Sequence, residues 1–286
     1  MRTEPESALF LFAHQDDEFG VFEQIFLERQ AGRRVRACYF TTGVPPGDSS
    51  RRRNQESMQV LGRFGLTPDD VHFAGEEIGI ADGRTVERLD SAAEWLAGKL
   101  AQESVAAVYA PAWEGGHPDH DGLCAVATAV CDRLSLLPRL RHFHLYNGQG
   151  CPGPFFRVLA PLEANGPVTR TSIPWRRRLR YLAECLSYGS QWRSWIGLLP
   201  FVALHYLLVG TQTLQPASPH RIGVRPHAGA LYYEKRRFAQ WESLCTRVQA
   251  FLVGWRAKPA CAVSDEMQRC DNFRLPDGLA PTQRKP

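Results

Sequence analysis

The first 150 residues alternate short apolar runs with amphipathic stretches, and few folds accept that alternation. Apolar runs of strand length lie at 8–13 (ALFLFA), 35–41 (VRACYFT), 71–74 (VHFA), 105–110 (VAAVYA) and 141–146 (RHFHLY). The gaps at about 18–31, 51–65, 86–103 and 119–134 carry helical spacing. Near-continuous apolar strands joined by helical crossovers predict an α/β fold: a Rossmann-like, mostly parallel sheet with helices on both faces. In sheets of this kind ligands sit beyond the carboxyl ends of the strands.

The second half reads differently. Residues 150–174 are rich in Pro and Gly and read as loop and edge strand, with helical patterns at 175–188 and 196–209. Residues 211–228 read as loop, "ALYYEKRRFAQWESLCTRVQAFLVGW" starts strand-like and turns helical, and a polar tail follows from Lys258. The expected organisation is a core at 1–150 and a mixed helix and loop region at 151–286. That region completes the same domain as a C-terminal appendage on the substrate side. One segment, "WIGLLPFVALHYLLVG" at 195–210, is apolar over 16 residues with Pro200 and His205 inside it. A membrane span needs about 20 apolar residues. A buried helix pair broken at Pro200 is therefore expected, not a membrane span. A hydrophobic face for a lipid-linked substrate or a partner chain is the second reading.

Charge and cysteine content exclude several classes. The formal net charge of +4 is too small to argue for nucleic acid. The clusters "SRRR" (50–53) and "WRRRLR" (175–180) read as solvated surface. None of the eight cysteines forms a CxxC pair. Cys38 lies in an apolar run, and Cys124 and Cys131 share one face of a helix, as reduced buried thiols do. No cationic segment leads into a long apolar one at the N-terminus, so a cytoplasmic location is the expectation. Nothing in the sequence sets the oligomeric state, and a homo-oligomer is compatible with it.

Two polar clusters fall where the predicted sheet would bind a ligand. The run "LFLFAHQDDEFG" (9–20) ends its apolar part at Ala13, so His14, Asp16, Asp17 and Glu18 follow the first strand. The segment "APAWEGGHPDHDG" (110–122) follows the fourth strand and opens a helix. His117 and His120 lie in it with Asp119 between them, and Asp119 also suits a helix cap. Pro118 sits where a helix start needs no donor. Together the clusters offer two imidazoles and a carboxylate for a metal, with a carboxylate and a histidine to spare. Catalytic zinc takes three protein ligands, activates water and polarises carbonyls. A spare carboxylate can act as base and a histidine can stabilise an oxyanion. That set describes a hydrolase of amides or esters. It also fits non-haem Fe2+.

The same residues carry a family resemblance. "AHQDDE" resembles the AHPDDE motif of the LmbE-like N-deacetylase superfamily, which includes the N-acetylglucosaminyl-phosphatidylinositol deacetylases, and "HPDHD" (117–121) resembles its second motif. "RNQESMQVLGRFGL" (53–66), "FAGEEIGIADGR" (73–84) and "YLAECLSYGSQ" (181–191) are similar to further family segments, so the resemblance spans about 8–191. It implies His14, Asp17 and His120 as ligands of Zn2+, and Asp16 as the base that activates a metal-bound water. It implies His117 as the residue that stabilises the tetrahedral intermediate or protonates the leaving amine, Asp119 as the group that orients His117, and Arg53 as a contact to the substrate sugar or its phosphate. Glu18 is left a supporting role. The implied reaction removes the N-acetyl group of an N-acetylamino sugar or its conjugate, releasing acetate and a free amine. Gln15 stands where the family has proline, which leaves the ligands in place and loosens the turn.

Trp113 reads equally as a sugar-stacking platform and as a core aromatic. Trp192, Trp195, Tyr206, Tyr232, Tyr233 and Trp241 are candidates for the substrate wall. Two other readings use the same residues: an iron oxidoreductase on a His/Asp/His triad, and a non-catalytic sugar-binding protein.

Overall fold

The computed structural model describes residues 5–258. In chain order the strands are β1 (Ser7–Phe12), β2 (Arg34–Tyr39), β3 (Val71–His72), β4 (Val105–Pro111), β5 (Leu140–Phe143), β6 (Tyr146–Asn147), β7 (Arg157–Val158), β8 (Thr169–Ser172) and β9 (Thr211–Pro216). The helices are α1 (Phe22–Gln30), α2 (Arg51–Arg63), α3 (Ala74–Glu77), α4 (Leu89–Ala101), α5 (Pro118–Arg133), α6 (Trp175–Cys185), α7 (Trp192–Leu204), α8 (Tyr232–Lys235) and α9 (Trp241–Ala257).

Seven strands form one sheet in the order β3-β2-β1-β4-β5-β9-β8, and β6 and β7 form a separate antiparallel pair. The first five strands pair in parallel, while β9 runs antiparallel to β5 and β8 antiparallel to β9. The apolar first strand is explained by burial on both faces. Leu9 and Leu11 pack on one side with Val126 and Val130 of α5, and Phe10 and Phe12 on the other with Phe22 of α1 and Leu61 of α2. Each such side chain taken fully out of water stabilises by about 1.5–3 kcal/mol. The result is the expected mostly parallel α/β sheet flanked by helices.

From β1 the chain builds outward to β2 and β3, then crosses to β4 on the other side of β1. The carboxyl ends of β1 and β4 therefore flank the switch point, where a doubly wound sheet opens a crevice.

Three readings of the second half are corrected. Residues 211–216 form β9 in the main sheet rather than a loop. Their polar sequence TQTLQP hid them, and the buried Gln215 is satisfied by the carbonyls of Leu162 and Gly166. The stretch from Ala230 is not strand-like at its start but holds the short α8 before α9. The apolar segment is not a buried pair broken at Pro200. Helix α7 runs through Pro200 and continues into one π-helical turn at His205–Val209. Pro200 and Ile196 are both exposed, so water can reach the carbonyl that the missing N–H leaves. The tail from Pro259 lies outside the described residues.

Candidate active site

The turn after β1 is fixed by its own side chains. Asp17 Oδ2 accepts from the backbone N–H groups of Ala13 (3.0 Å) and His14 (2.8 Å). Asp16 is held at φ 134°, a conformation that L-residues other than glycine seldom adopt. The buried Glu18 supports it: one oxygen accepts from Asp16 N at 2.8 Å, and the other accepts from the Tyr39 hydroxyl. Gln15 also ties this turn down, donating to Asn54 Oδ1 at 2.7 Å and to the Thr42 carbonyl at 3.3 Å. It is buried, so the departure from proline replaces ring stiffness with hydrogen bonds to Asn54 of α2 and to Thr42 in the β2–α2 connection.

The second cluster starts α5. His117 is the N-cap, Pro118 the first helical residue, and His120 projects into the site one turn later. Asp121 Oδ1 accepts from Glu114 N and Gly115 N, each at 3.1 Å, which folds the preceding loop onto the helix. Burial raises the Asp121 carboxyl to about 7. Glu114 accepts from Leu145 N and Tyr146 N and ties the same loop to the chain beyond β5.

The two clusters meet. His14 Nδ1 lies 3.1 Å from His120 Nε2, and Asp17 Oδ1 lies 3.1 Å from the same nitrogen. Asp17 Oδ2 is 3.7 Å from His14 Nδ1. His117 also comes within reach: ligand atoms of His14, His117 and His120 lie within 4.8 Å of one another. Burial opposes charge on His14, but Asp17, Asp119 and Asp82 overcome it and hold the imidazole well above its usual range. Asp17 is held well below the usual carboxylate range, because His120 and His14 outweigh its burial. His14, Asp17 and His120 are buried, whereas Asp16 and His117 keep part of their surface open.

Three assignments change with the geometry. The Asp119 carboxylate does not hydrogen-bond the His117 side chain: Oδ2 stays 3.8 Å from Nδ1. It lies 3.0 Å from His14 Nε2 instead and accepts from Gly83 N (2.6 Å) and Thr85 N (2.9 Å). Its backbone N–H donates to His117 Nδ1 at 3.3 Å. Arg53 is not free for a substrate. It is buried, donates to the carbonyls of Gly43 and Gln15, and lies 3.4 Å from Asp16 Oδ1. Gln191, its amide oxygen turned to Arg53, accepts from Nε at 2.8 Å. Arg53 therefore positions the turn and Asp16. Trp113 is a core aromatic: it is buried, donates to the Val224 carbonyl at 2.8 Å, and meets Trp241 edge-on.

Sequence reasoning passed over Asp82, whose Oδ1 lies 3.2 Å from His14 Nε2 and which sits in the "ADGR" run. It also missed most of the aromatic wall. Tyr146 faces His120 edge-on, Phe156 and Tyr232 pack beside Tyr146, and the exposed Phe238 lies 5.8 Å from the His117 ring. Of the aromatics expected there, Tyr232 is present, and Trp195, Tyr206 and Tyr233 are core residues.

Imidazoles and carboxylates gathered at the switch point of an α/β sheet define a hydrolase site. Residues 9–131 match the family model described as PIG-L: GlcNAc-PI de-N-acetylase, the LmbE-like family, and this stretch holds both polar clusters of the site. No curated protein matches it in sequence. Among solved structures it is similar to a triple mutant of a deacetylase in the teicoplanin biosynthetic pathway (TM-score 0.58, 16% identity, 74% of this chain and 98% of that one). It is also similar to the A40926 pseudoaglycone deacetylase Dbv21 (TM-score 0.56, 15% identity, 79% and 100%). A conserved protein from Thermus thermophilus follows (TM-score 0.51, 19% identity, 74% and 94%). At these identities the likeness shows the fold.

Proposed function

We propose that this chain is a zinc-dependent N-deacetylase that hydrolyses the acetamide of an N-acetylamino sugar conjugate, with His14, Asp17 and His120 as the metal ligands. The carrying observation is the convergence of three donor side chains from two distant segments, with Asp16 and His117 left accessible beside them. His120 Nε2 lies 3.1 Å from both His14 Nδ1 and Asp17 Oδ1, close to the edge of a tetrahedral zinc site, about 3.3 Å for bonds near 2 Å, and the second Asp17 oxygen is 3.7 Å from His14 Nδ1. The group behind His14 fits as well, because ligating imidazoles usually turn their second nitrogen to a carboxylate, here Asp119 and Asp82. When bound, the metal supplies a Lewis acid that lowers the pKa of water and polarises the acetamide carbonyl.

The chain's own residues do the rest. Burial raises Asp16 to about 7, Arg53 restrains that rise and Asp17 adds to it, so the carboxylate is a base suited to neutral pH. Asp16 takes a proton from the attacking water as the new C–O bond forms. His117 Nδ1 accepts the Asp119 backbone N–H, so its proton sits on Nε2. Burial, and His14 beside it, lower His117 to about 4, and it acts as a neutral donor to the developing oxyanion. The C–N bond then breaks, and Asp16 passes its proton to the leaving amine. Tyr146, Phe156, Tyr232 and Phe238 offer ring faces for a sugar or its conjugate. The family description, which names GlcNAc-PI, and the names of two fold neighbours, which give A40926 pseudoaglycone and the teicoplanin pathway, support a substrate larger than a free sugar.

The test is acetate release from a panel of N-acetylhexosamine conjugates together with metal analysis. Zinc near one per chain and conjugate turnover support the proposal. Iron with oxygen uptake, or no acetate from any conjugate, overturns it.

A further inference from the structure

One surface lies outside the site altogether. Helix α7 and its π turn belong to the run Gly189–Val209, which by length and composition could cross a membrane, yet only 22% of its most apolar 18-residue stretch is buried. Its exposed side is an i, i+4 ridge of Trp192, Ile196, Pro200, Leu204 and Leu208, with Ile196 68% and Leu208 77% exposed. Helix α6 adds exposed Trp175 and Leu179, and exposed Leu186 caps its C-terminus. The two helices run antiparallel, their outer ends joined by the Ile173 N–H to Gly210 carbonyl bond at 2.9 Å. Soluble monomers seldom expose so large an apolar surface without a partner.

The opposite side of α7 is fixed to the protein. Trp195, Val202 and Tyr206 are buried, and the Tyr206 hydroxyl donates to the Phe19 carbonyl at 2.8 Å. Helix α6 is fixed too, through the bidentate Arg177–Glu23 pair (2.7 and 2.9 Å). A helix held along one face cannot leave the fold to span a bilayer, but it can lie in an interface with its other face down.

The charge around it selects the interface. Residues 167–216 hold six arginines and one glutamate, more positive than the whole chain at +4. The glutamate, Glu184, is buried against Arg63 and Arg180. Arg170, Arg176 and Arg193 are exposed, and from Ser194 to Val209 no Asp, Glu, Lys or Arg occurs. Exposed tryptophans stand at both ends of the helix pair: Trp175 under the Arg178 guanidinium and Trp192 under that of Arg193. Apolar ridge, flanking arginines and end tryptophans are the parts of a helix that lies on an anionic bilayer.

We infer that α6 and α7 form a docking surface for an anionic lipid membrane, with the ridge 192–208 set into the headgroup layer. Docking does not depend on hydrolysis. The full chain is sedimented with vesicles of phosphatidylcholine containing phosphatidylglycerol, and with vesicles of phosphatidylcholine alone. The wild type is expected to pellet with the anionic vesicles and to be released by salt. Ile196→Glu with Leu208→Glu lowers partitioning by about tenfold or more. Arg176→Glu with Arg193→Glu lowers it by about tenfold on anionic vesicles alone. All four positions are exposed, so thermal midpoints stay near wild type and separate lost docking from lost folding. Wild-type protein that stays in the supernatant with both vesicles overturns the inference. So does undiminished binding by either pair of variants. A dimer in light scattering, dispersed by Ile196→Glu with Leu208→Glu in the absence of vesicle binding, would assign the face to a second copy instead.

Discussion

Asp119→Asn separates two roles for one carboxylate. Asp119 is fully buried and receives on both oxygens: Thr85 N on Oδ1 at 2.9 Å, and Gly83 N (2.6 Å) and His14 Nε2 (3.0 Å) on Oδ2. An amide of the same shape has one acceptor oxygen. Whichever way it turns, its NH2 group faces one of the two backbone N–H groups. A hydrogen bond to an ionised acceptor is lost and a buried donor is stranded, at about 1.5–3 kcal/mol. If the NH2 group takes the Oδ2 place, His14 keeps only Asp82, at 3.2 Å, behind it. Metal affinity should then fall about 10- to 100-fold, the usual effect of removing a carboxylate behind a ligating histidine. The assay is competition for zinc against a chromophoric chelator, with thermal midpoints measured in parallel. An Asp119 that served His117 would give the opposite pattern, with affinity kept and acetate release reduced. Zinc affinity within about twofold of wild type together with an unchanged thermal midpoint would refute the reasoning, since either orientation strands a buried donor and the one that turns NH2 to His14 costs at least about tenfold in affinity.

Three further outcomes follow from the same contacts. Trp113→Phe should lower stability by about 1–3 kcal/mol through the bond lost to the Val224 carbonyl, and leave KM unchanged; a KM that rises with stability intact would restore the stacking role. Gly43→Ala places a methyl group against Gln15 Oε1 and the Arg53 guanidinium at a residue with φ +66°. It should lower kcat about 10- to 100-fold with little change in KM, which steady-state kinetics will show. His144 is buried, and desolvation lowers it to about 4, against hydrogen bonds to Gln215 and Thr213. Its folded value is below its unfolded one, so the unfolded chain protonates first and stability is lost as pH falls from about 6.5 towards 4. His144→Gln should therefore remove about 1.4 kcal/mol per pH unit of slope in that window, read from urea midpoints.

What the sequence disclosed depended on the range of each signal. Strands β1 and β4 were legible because burial on both faces writes a continuous apolar run, and the polar residues at their ends stood out against it. β9 was not, because TQTLQP is buried by neighbours and satisfied by bonds to residues about fifty positions away. His14, Asp17 and His120 were placed together by motif resemblance, and their side chains do meet. The partners of Asp119, Arg53 and Trp113 were not legible. His14 is 105 residues from Asp119, and the Trp113 indole meets a carbonyl 111 residues away. No local pattern records such distances. The apolar run 195–210 was seen but assigned to the core, since composition alone does not say which face of a helix is covered.

The most direct test of the account is Asp16→Asn, measured for metal content and acetate release on one sample. Asp16 lies beside the proposed ligands without being one, and Asn is close to it in shape. The expected result is zinc at the wild-type ratio, with acetate release lowered by about 10²- to 10⁴-fold, the range for a lost general base. A variant that retains zinc and releases acetate at the wild-type rate would contradict the assignment of Asp16 as the base and the mechanism built on it.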